Sequence, residues 1–169
     1  ILFNHESPLR GIEFVTRKIT STLAEIHAGR KKTLELGNIY AKRDWGYAGD
    51  FVEGIWKMIQ NDKPKDYLLA TGEEHSVKEF ATLAAKLTGF NLVWKGKKPN
   101  EHAIDKDTKK VIIKKNPDYC RPSDVSLLKG DSKEARNNIN WKPKVKFKNL
   151  VKIMVESDKK RALKGKILQ

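Results

Sequence analysis

The stretch Ala41-Lys42-Arg43-Asp44-Trp45-Gly46-Tyr47 decides how this fold is assembled. It lies between a predicted strand that ends at Gly37-Asn38 and a helix predicted from about Asp50 to Gln60. Arg43 offers a planar guanidinium that matches phosphate oxygens, and the start of the next helix adds a favourable dipole. These residues predict a clamp for an anionic ligand that carries a ring. The alternative is a surface loop in which Arg43 and Asp44 form only an ion pair.

Strand and helix patterns alternate upstream of this stretch, which favours an α/β fold. Ile1-Leu2-Phe3 has the pattern of the body of a buried strand, so we expect the chain to be a piece of a longer protein. Apolar residues from Ile12 to Ile26 recur at helical spacing, with Arg17 and Lys18 off the buried stripe. The segment 33–36 alternates like a short strand.

Downstream, Tyr67-Leu68-Leu69-Ala70-Thr71 is typical of a strand buried on both faces. Ser76 and Glu79 form a capping box for a third helix, which Gly89 ends. The segment 96–110 is charged and without periodicity, which predicts a surface excursion or hairpin. The remaining predicted elements are strands at 91–94 and 111–113, a helix at 133–138 capped by Ser132, and a terminal helix over Phe147 to Val155. This less regular half is closer to α+β.

Composition restricts the class of protein. The chain has 169 residues, of which 38% are hydrophobic and 33% charged, so it is typical of one large globular domain or of a domain plus part of another. No apolar run approaches the roughly 20 residues that span a bilayer. A single cysteine, Cys120, indicates a reducing, cytoplasmic setting, and we expect a packed thiol rather than a nucleophile.

The formal charge of +14 favours anionic partners, whether nucleic acids, nucleotides or phosphates. Many of the lysines are scattered over solvent-facing positions, which is a solubility pattern. The densest basic runs, 95–115 and 142–166, lack the regular aromatic interleaving of single-strand binders. A nucleic-acid-binding module is therefore the weaker alternative.

No complete catalytic set is visible in the sequence. The four histidines lack metal-ligand spacing, so no metal site is predicted. The eleven glycines form no dinucleotide-binding fingerprint. None of the four tyrosines has a lysine four positions later; those places hold Asp44, Phe51, Thr71 and Ser123. The positive features point to anion binding.

Six segments, in order and nearly end to end, resemble the GDP-mannose 4,6-dehydratase family of extended short-chain dehydrogenases. They are Leu2-Phe3-Asn4-His5-Glu6-Ser7-Pro8, Phe14-Val15-Thr16-Arg17-Lys18-Ile19, Leu36-Gly37-Asn38, Ala41-Lys42-Arg43-Asp44-Trp45-Gly46, Ala70-Thr71-Gly72-Glu73 and Asn140-Trp141-Lys142-Pro143. The resemblance implies the C-terminal half of such an enzyme. The family's glycine fingerprint and catalytic residues would then lie upstream of Ile1.

The resemblance also implies a fold. Residues 1–30 and 48–76 would be late strands and helices of an NAD(P)-binding Rossmann sheet, and residues 31–47 and 77–169 the smaller α+β substrate-binding domain. The implied reaction converts GDP-mannose to GDP-4-dehydro-6-deoxymannose through transient reduction of NADP. The implied whole protein is a cytoplasmic lyase and a homo-oligomer, either a dimer or a tetramer. A related nucleotide-sugar epimerase or dehydratase is the neighbouring alternative.

The resemblance assigns roles to ten residues, none of them catalytic. The cofactor contacts are His5 and Arg10. The substrate contacts are Asn4, Val15, Lys18, Leu36, Gly37, Arg43, Arg121 and Asp124. In this set, Arg43 and Arg121 would meet on the diphosphate, Lys18 would donate to the guanine carbonyl, and Asp124 would bind the ribose diol.

The sequence departs from the family pattern at four of its positions. Leu9 replaces a usual Arg in a region that the family uses near the cofactor and neighbouring subunits. Cys120 and Ser123 replace the usual Tyr and Thr, and Asp124 replaces a Glu that is one methylene longer. These departures bear on the cofactor and ribose contacts.

Overall fold

Short strands and five α-helices alternate along the part of the chain that the computed structural model describes, residues 1–120 and 127–165. The helices are α1 (Val15–His27), α2 (Ala48–Ile59), α3 (Val77–Thr88), α4 (Lys133–Ile139) and α5 (Phe147–Leu163). The strands are β1 (Asn4–Glu6), β2 (Leu34–Leu36), β3 (Lys42–Arg43), β4 (Trp45–Tyr47), β5 (His75–Ser76), β6 (Leu92–Lys95), β7 (His102–Asp105), β8 (Val111–Lys115) and β9 (Leu127–Leu128). The predicted α/β class is confirmed.

The strands form three small sheets. β1 and β4 pair in parallel, with Asn4 opposite Trp45. The largest sheet is mixed and has the order β2-β8-β7-β6. The third has the order β5-β3-β9, with β3 antiparallel to β5 and parallel to β9.

The segment at residues 1–3 differs from the prediction of a buried strand. Ile1 is 78% exposed and Leu2 42% exposed. Leu2 makes a single parallel bridge to Leu69, and the Phe3 amide donates to the Leu69 carbonyl at 3.0 Å. Tyr67 and Leu69 are buried as predicted, but their extended segment has only this isolated bridge.

The segment at 96–110 contains a strand that the sequence pattern missed. β7 lies between β6 and β8, and Ala103 within it is fully buried. The prediction of a hairpin is correct in part, because β6 and β7 are antiparallel neighbours. Only two apolar residues, Ala103 and Ile104, mark β7, so the alternation is too short to recognise.

Helix α1 starts later than the apolar spacing predicted. The Phe14 amide donates to the Gly11 carbonyl in the preceding turn, and Ile12 is 46% exposed. The position of Arg17 was also predicted wrongly, because its side chain is buried and paired with Asp158 of α5 at 2.9 Å. A counter-charge so distant in sequence leaves no trace in local periodicity.

The cap predicted for α3 is present, and the cap predicted for α4 is not. The Ser76–Glu79 capping box of α3 is confirmed, and Gly89 ends the helix in the left-handed region at φ 115°. Ser132 precedes α4 but makes no cap hydrogen bond. Its buried hydroxyl instead donates to the Ala70 carbonyl at 2.9 Å.

Two hydrophobic cores hold these elements together. The larger core joins α1, α3 and α5 to the mixed sheet, with Leu23, Phe80 and Met154 fully buried. The smaller core contains Phe51 of α2 and Trp141. The remaining apolar residues of α2 are largely exposed, Ile59 at 74%. The boundaries predicted between a Rossmann part and a substrate-binding part stay a prediction.

Residues 1–120 and 127–165 contain neither a membrane-spanning helix nor a metal-binding cluster. None of the helices there combines the length and apolar character needed to cross a bilayer. The same residues contain no group of three or more His, Cys, Asp or Glu side chains arranged to hold a metal ion. Cys120 is exposed, so the expectation of a packed thiol was wrong.

The Asp44 carboxylate joins three distant segments. Asp44 is fully buried and accepts hydrogen bonds from the Thr71 amide at 2.8 Å and the Thr71 hydroxyl at 2.6 Å. It also accepts from the amides of Gly72 at 2.8 Å and Gly130 at 3.3 Å. A buried charge is tolerated where hydrogen bonds replace its hydration shell, and Asp44 meets that condition.

Replacing this carboxylate should therefore destabilise the fold. We expect Asp44→Ala to lower the free energy of unfolding by about 3 kcal/mol or more, because several buried donors lose their acceptor. Urea denaturation measures the change. Asp62→Ala, at an exposed bend, is the matched control and should stay within about 0.5 kcal/mol of the unsubstituted chain. Equal stability of the two variants would contradict this role.

Candidate functional site

A cleft of about 750 Å³ opens beyond the carboxyl end of β1. Its walls come from parts of residues 4–18, 36–45 and 118–119, with Val77 completing the lining. Ligands of α/β proteins gather beyond the carboxyl ends of parallel strands. The position of the cleft is the one expected for a ligand site.

Eight of the ten predicted site residues fall in the described part of the chain, and seven of them line this cleft. They are Asn4, Arg10, Val15, Lys18, Leu36, Gly37 and Arg43. These residues come from five separate segments of the sequence, and the fold brings them together. Their functional roles stay predictions.

Of the other three predicted residues, His5 falls in the described part of the chain, and it is not among the residues that line the cleft. His5 places its Nδ1 2.9 Å from the Phe3 carbonyl oxygen, and its ring packs near Phe51 at 5.5 Å between centroids. His5 follows Asn4 on β1, and side chains alternate between the faces of a strand. Arg121 and Asp124 lie outside the described residues, and so does the predicted meeting of Arg43 with Arg121.

Arg10 contacts both an aromatic ring and a carboxylate at the cleft. Its guanidinium lies over the Phe14 ring, 3.5 Å from the centroid. Its Nε is 3.4 Å from a carboxylate oxygen of Glu6, yet this buried nitrogen has no well-aligned hydrogen-bond partner among the described residues. The Arg10 side chain is nonetheless 23% exposed and lines the cleft, so its guanidinium can contact an anionic group there.

Lys18 and Tyr119 form one side of the cleft. The Lys18 ammonium lies 3.5 Å from the centroid of the Tyr119 ring, within range of a cation–π interaction. Desolvation lowers the pKa of Lys18, and nearby Glu35 acts in the opposite direction. Lys18 thus presents a partly desolvated donor beside an aromatic face, an arrangement suited to a polar ring.

Gly37 lets the backbone of two segments approach closely. A Cβ atom at this position would collide with the backbone carbonyl oxygen of Tyr119. Leu36 is buried, and its carbonyl accepts a hydrogen bond from the Asn116 amide at 2.8 Å. The absent side chain at Gly37 therefore determines how near Tyr119 comes to the end of β2.

The clamp predicted around Arg43 holds only in part. Arg43 lines the cleft, and Trp45 forms part of its wall while packing against Phe80 in the core. Lys42 instead pairs with Glu74 at 2.8 Å, outside the cleft. Asp44, described above, is fully buried, and a single carboxylate engaged in this way serves the fold rather than a ligand.

The helix that faces the cleft is α1, although the sequence pattern pointed to α2. The first turn of α1 lines the cleft through Phe14, Val15 and Thr16, with no side-chain cap and no acidic residue. Its N-terminus contributes a favourable dipole for an anion. The start of α2 has another role, because Asp50 accepts from the amides of Lys144 and Val145. Because no side chain caps α1, the sequence carries little that marks the position of this helix N-terminus.

Glu6 is a further cleft residue that sequence reasoning missed. Its side chain is buried, and the Thr16 hydroxyl donates to its carboxylate. Burial raises the pKa of Glu6, while the Thr16 hydrogen bond and the charge of Arg10 act in the opposite direction. An acidic residue within a strand is easily taken for a surface position.

The raised pKa predicts a pH dependence of stability. Because the folded-state pKa of Glu6 lies above its usual value of 4.5, the folded chain holds this proton more tightly than the unfolded chain does. The protonated Glu6 side chain contributes its full stabilisation of the fold below about pH 4.5. This contribution is lost as the pH rises through the folded-state pKa of Glu6. We expect the stability of the unsubstituted chain relative to Glu6→Gln to fall over this range. Urea denaturation at several pH values measures the difference, and an opposite slope would contradict the assignment.

Solved structures identify the general class of this fold. The chain matches the Pseudomonas aeruginosa protein RMD complexed with NADPH at a TM-score of 0.76 and 18% identity, covering 95% of this chain and 47% of that one. It also matches a dTDP-glucose 4,6-dehydratase from Bacillus anthracis in complex with NAD, at a TM-score of 0.71 and 17% identity, covering 94% and 43%. The chain therefore has the fold of the matching part of these two nicotinamide-binding proteins.

Sequence comparison identifies the family. A family model for GDP-mannose 4,6 dehydratase matches residues 1–154. GDP-mannose 4,6 dehydratases from Cricetulus griseus and Homo sapiens are each 49% identical over 158 residues, which is 94% of this chain and 42% of the relative. The Arabidopsis thaliana dehydratase 1 is 48% identical over 169 residues, covering 99% and 42%. The chain belongs to the GDP-mannose 4,6 dehydratase family and spans less than half the length of these relatives.

Proposed function

We propose that this chain supplies the GDP-mannose-binding part of a GDP-mannose 4,6-dehydratase. The observation that carries the proposal is the single cleft lined by seven of the eight described site residues. Because the chain spans 42% of the length of its relatives, the reaction belongs to the proposal too. That reaction converts GDP-mannose to GDP-4-dehydro-6-deoxymannose. The assignment to the C-terminal half stays a prediction.

The charges of the cleft suit a nucleotide sugar. Arg10 and Arg43 supply guanidinium groups for a diphosphate. The carboxylates of Glu6, Glu13 and Asp118 lie in the same lining and can accept hydrogen bonds from sugar hydroxyls. A cleft with both signs of charge fits a ligand that combines phosphates with many hydroxyl groups. A polyanion such as a nucleic acid would bind more favourably to a uniformly basic surface, because carboxylates in the lining repel it.

The base is proposed to lie at the side of the cleft formed by Lys18 and Tyr119. A lysine ammonium donates to a guanine carbonyl, and the Tyr119 ring offers an apolar face. Leu36 and Gly37 would form the edge against the nucleotide, where the close approach of backbone at Gly37 leaves no room for a side chain. These contacts orient the substrate; the residues named here perform no proton transfer.

A nicotinamide cofactor is part of the proposal. When bound, NADP supplies the acceptor and donor for the hydride that leaves C4 of the sugar and returns at C6. The resemblance assigns Arg10 to the cofactor, and its partly exposed guanidinium lines the same cleft as Arg43, so it suits a phosphate of either ligand. His5 fits less well, because its Nδ1 is directed to the Phe3 carbonyl and its ring packs near Phe51.

The two alternatives give different binding results. A related enzyme for another nucleotide sugar would prefer dTDP-glucose to GDP-mannose when both are titrated by calorimetry. A nucleic-acid-binding module would retain polynucleotide on a filter and release it steeply as the salt concentration rises. The predicted cytoplasmic location and homo-oligomeric state stay predictions.

Arg43 provides a direct test of the proposed diphosphate site. We expect Arg43→Ala to weaken GDP-mannose binding by about 2–4 kcal/mol, because a charge-assisted contact to phosphate would be lost. Calorimetric titration of the 169-residue chain measures the affinity. The control is Lys65→Ala, which removes one exposed positive charge from a residue paired with Glu134 and outside the cleft lining. An Arg43→Ala affinity equal to that of the control would remove Arg43 from the site.

The chain by itself should not turn over substrate. It has no Tyr-x-x-x-Lys pair and no dinucleotide fingerprint, so it lacks groups for the proton transfers and for secure cofactor binding. Incubation of residues 1–169 with GDP-mannose and NADP, followed by chromatography of the sugar nucleotides, should give back unchanged GDP-mannose. Formation of the 4-dehydro-6-deoxy product would refute this prediction.

A further inference from the structure

A buried carboxylate on α5 is connected to the cleft through two arginines. Asp158 is 3% exposed, and both of its oxygens accept from Arg17 Nε, at 3.0 and 2.9 Å. The Thr20 hydroxyl donates to the same carboxylate at 2.7 Å, and Arg161 Nη1 lies 3.2 Å from it. Asp158 is therefore the shared acceptor of groups from α1 and α5.

Both arginines also bind the turn that carries Arg10. Arg17 Nη1 donates to the Arg10 carbonyl at 2.8 Å, and Arg161 Nη1 donates to the Pro8 carbonyl at 2.7 Å. The turn is closed by the Arg10 amide, which donates to the Ser7 carbonyl at 3.0 Å. These three hydrogen bonds fix the backbone of the turn that carries Arg10.

We propose that Asp158 is a positioning residue for the cleft: through Arg17 and Arg161 it fixes the turn at residues 7–11 and thereby the guanidinium of Arg10. This inference rests on the proposed function for its ligand. Asp158 itself is absent from the cleft lining. Its carboxylate is shared by two guanidinium groups, each of which also donates to a carbonyl of the turn.

Simple stabilisation is a poorer account of this network. A buried ion pair typically gives little net stability compared with apolar packing of similar volume, because both charges must be desolvated. The network instead holds the turn in one conformation, because the two arginines donate to the carbonyls of Pro8 and Arg10. A guanidinium held in advance loses less conformational freedom when an anion binds.

A double-mutant cycle with GDP-mannose tests whether Asp158 acts through Arg10. We expect Asp158→Asn to weaken binding about 10-fold in the unsubstituted chain and less than about 2-fold in an Arg10→Ala background. Glu156→Gln is the matched control, because this α5 carboxylate is exposed and pairs with the exposed Lys152 at 3.8 Å. Equal losses in the two backgrounds, or no loss in the unsubstituted chain, would overturn the inference.

Amide hydrogen exchange gives a readout that needs no ligand. The Arg10 amide should exchange about 10-fold faster or more in Asp158→Asn and in Arg161→Met, while amides of α3 keep their rates. Arg161→Met removes the donor to Pro8 and keeps the Arg17–Asp158 pair, so it decides the matter where Asp158→Asn fails to fold. Unchanged exchange at Arg10 would overturn the positioning role. Absence of GDP-mannose binding by the unsubstituted chain would instead refute the proposed function alone.

Discussion

The interaction on which the rest of the structure depends is the set of hydrogen bonds to the buried Asp44 carboxylate. Asp44 stands between β3, which belongs to the sheet with β5 and β9, and β4, which pairs with β1. Its bonds to Thr71, Gly72 and Gly130 hold the chain at the point where it passes from one sheet to the other. Arg43 is placed on one side of this point and Trp45 on the other, and both line the cleft.

The cleft follows from this arrangement and from a second set of buried charges. Parallel pairing of β1 with β4 places Asn4 opposite Trp45, and both residues line the cleft. Arg17, Asp158 and Arg161 attach the turn after β1 to α1 and α5. Two buried carboxylates, Asp44 and Asp158, thus support different segments of one site. Neither is proposed to touch the ligand, and both act by fixing residues that line the cleft or carry its side chains.

Local patterns were sufficient to predict much of the fold. Apolar spacing and the Ser76–Glu79 box located α2 and α3, since helices and caps depend on residues within a few positions. Interactions over long distances in sequence were not visible. The burial of Arg17 depends on Asp158, 141 positions away, and β7 depends on its two neighbouring strands. The exposed Ile1 likewise shows that an apolar run does not by itself establish burial.

The resemblance, rather than local patterns, predicted which residues come together at the candidate site. Seven residues taken from it line one cleft, and their roles in binding stay predictions. The resemblance gave no indication of Glu6 or of the α1 N-terminus, whose contributions come from burial and backbone geometry. The clamp predicted for residues 41–47 is present only in part, because Lys42 and Asp44 have partners elsewhere in the chain.

The central claim is that one cleft binds the nucleotide sugar, and mapping of amide chemical shifts on titration with GDP-mannose tests it most directly. The account predicts that the amides of Val15, Lys18 and Gly37 shift together with a single dissociation constant, while those of Lys106 and Lys109 beyond β7 stay unchanged. Shifts confined to the basic surface around Lys106, with none at Gly37, would contradict it.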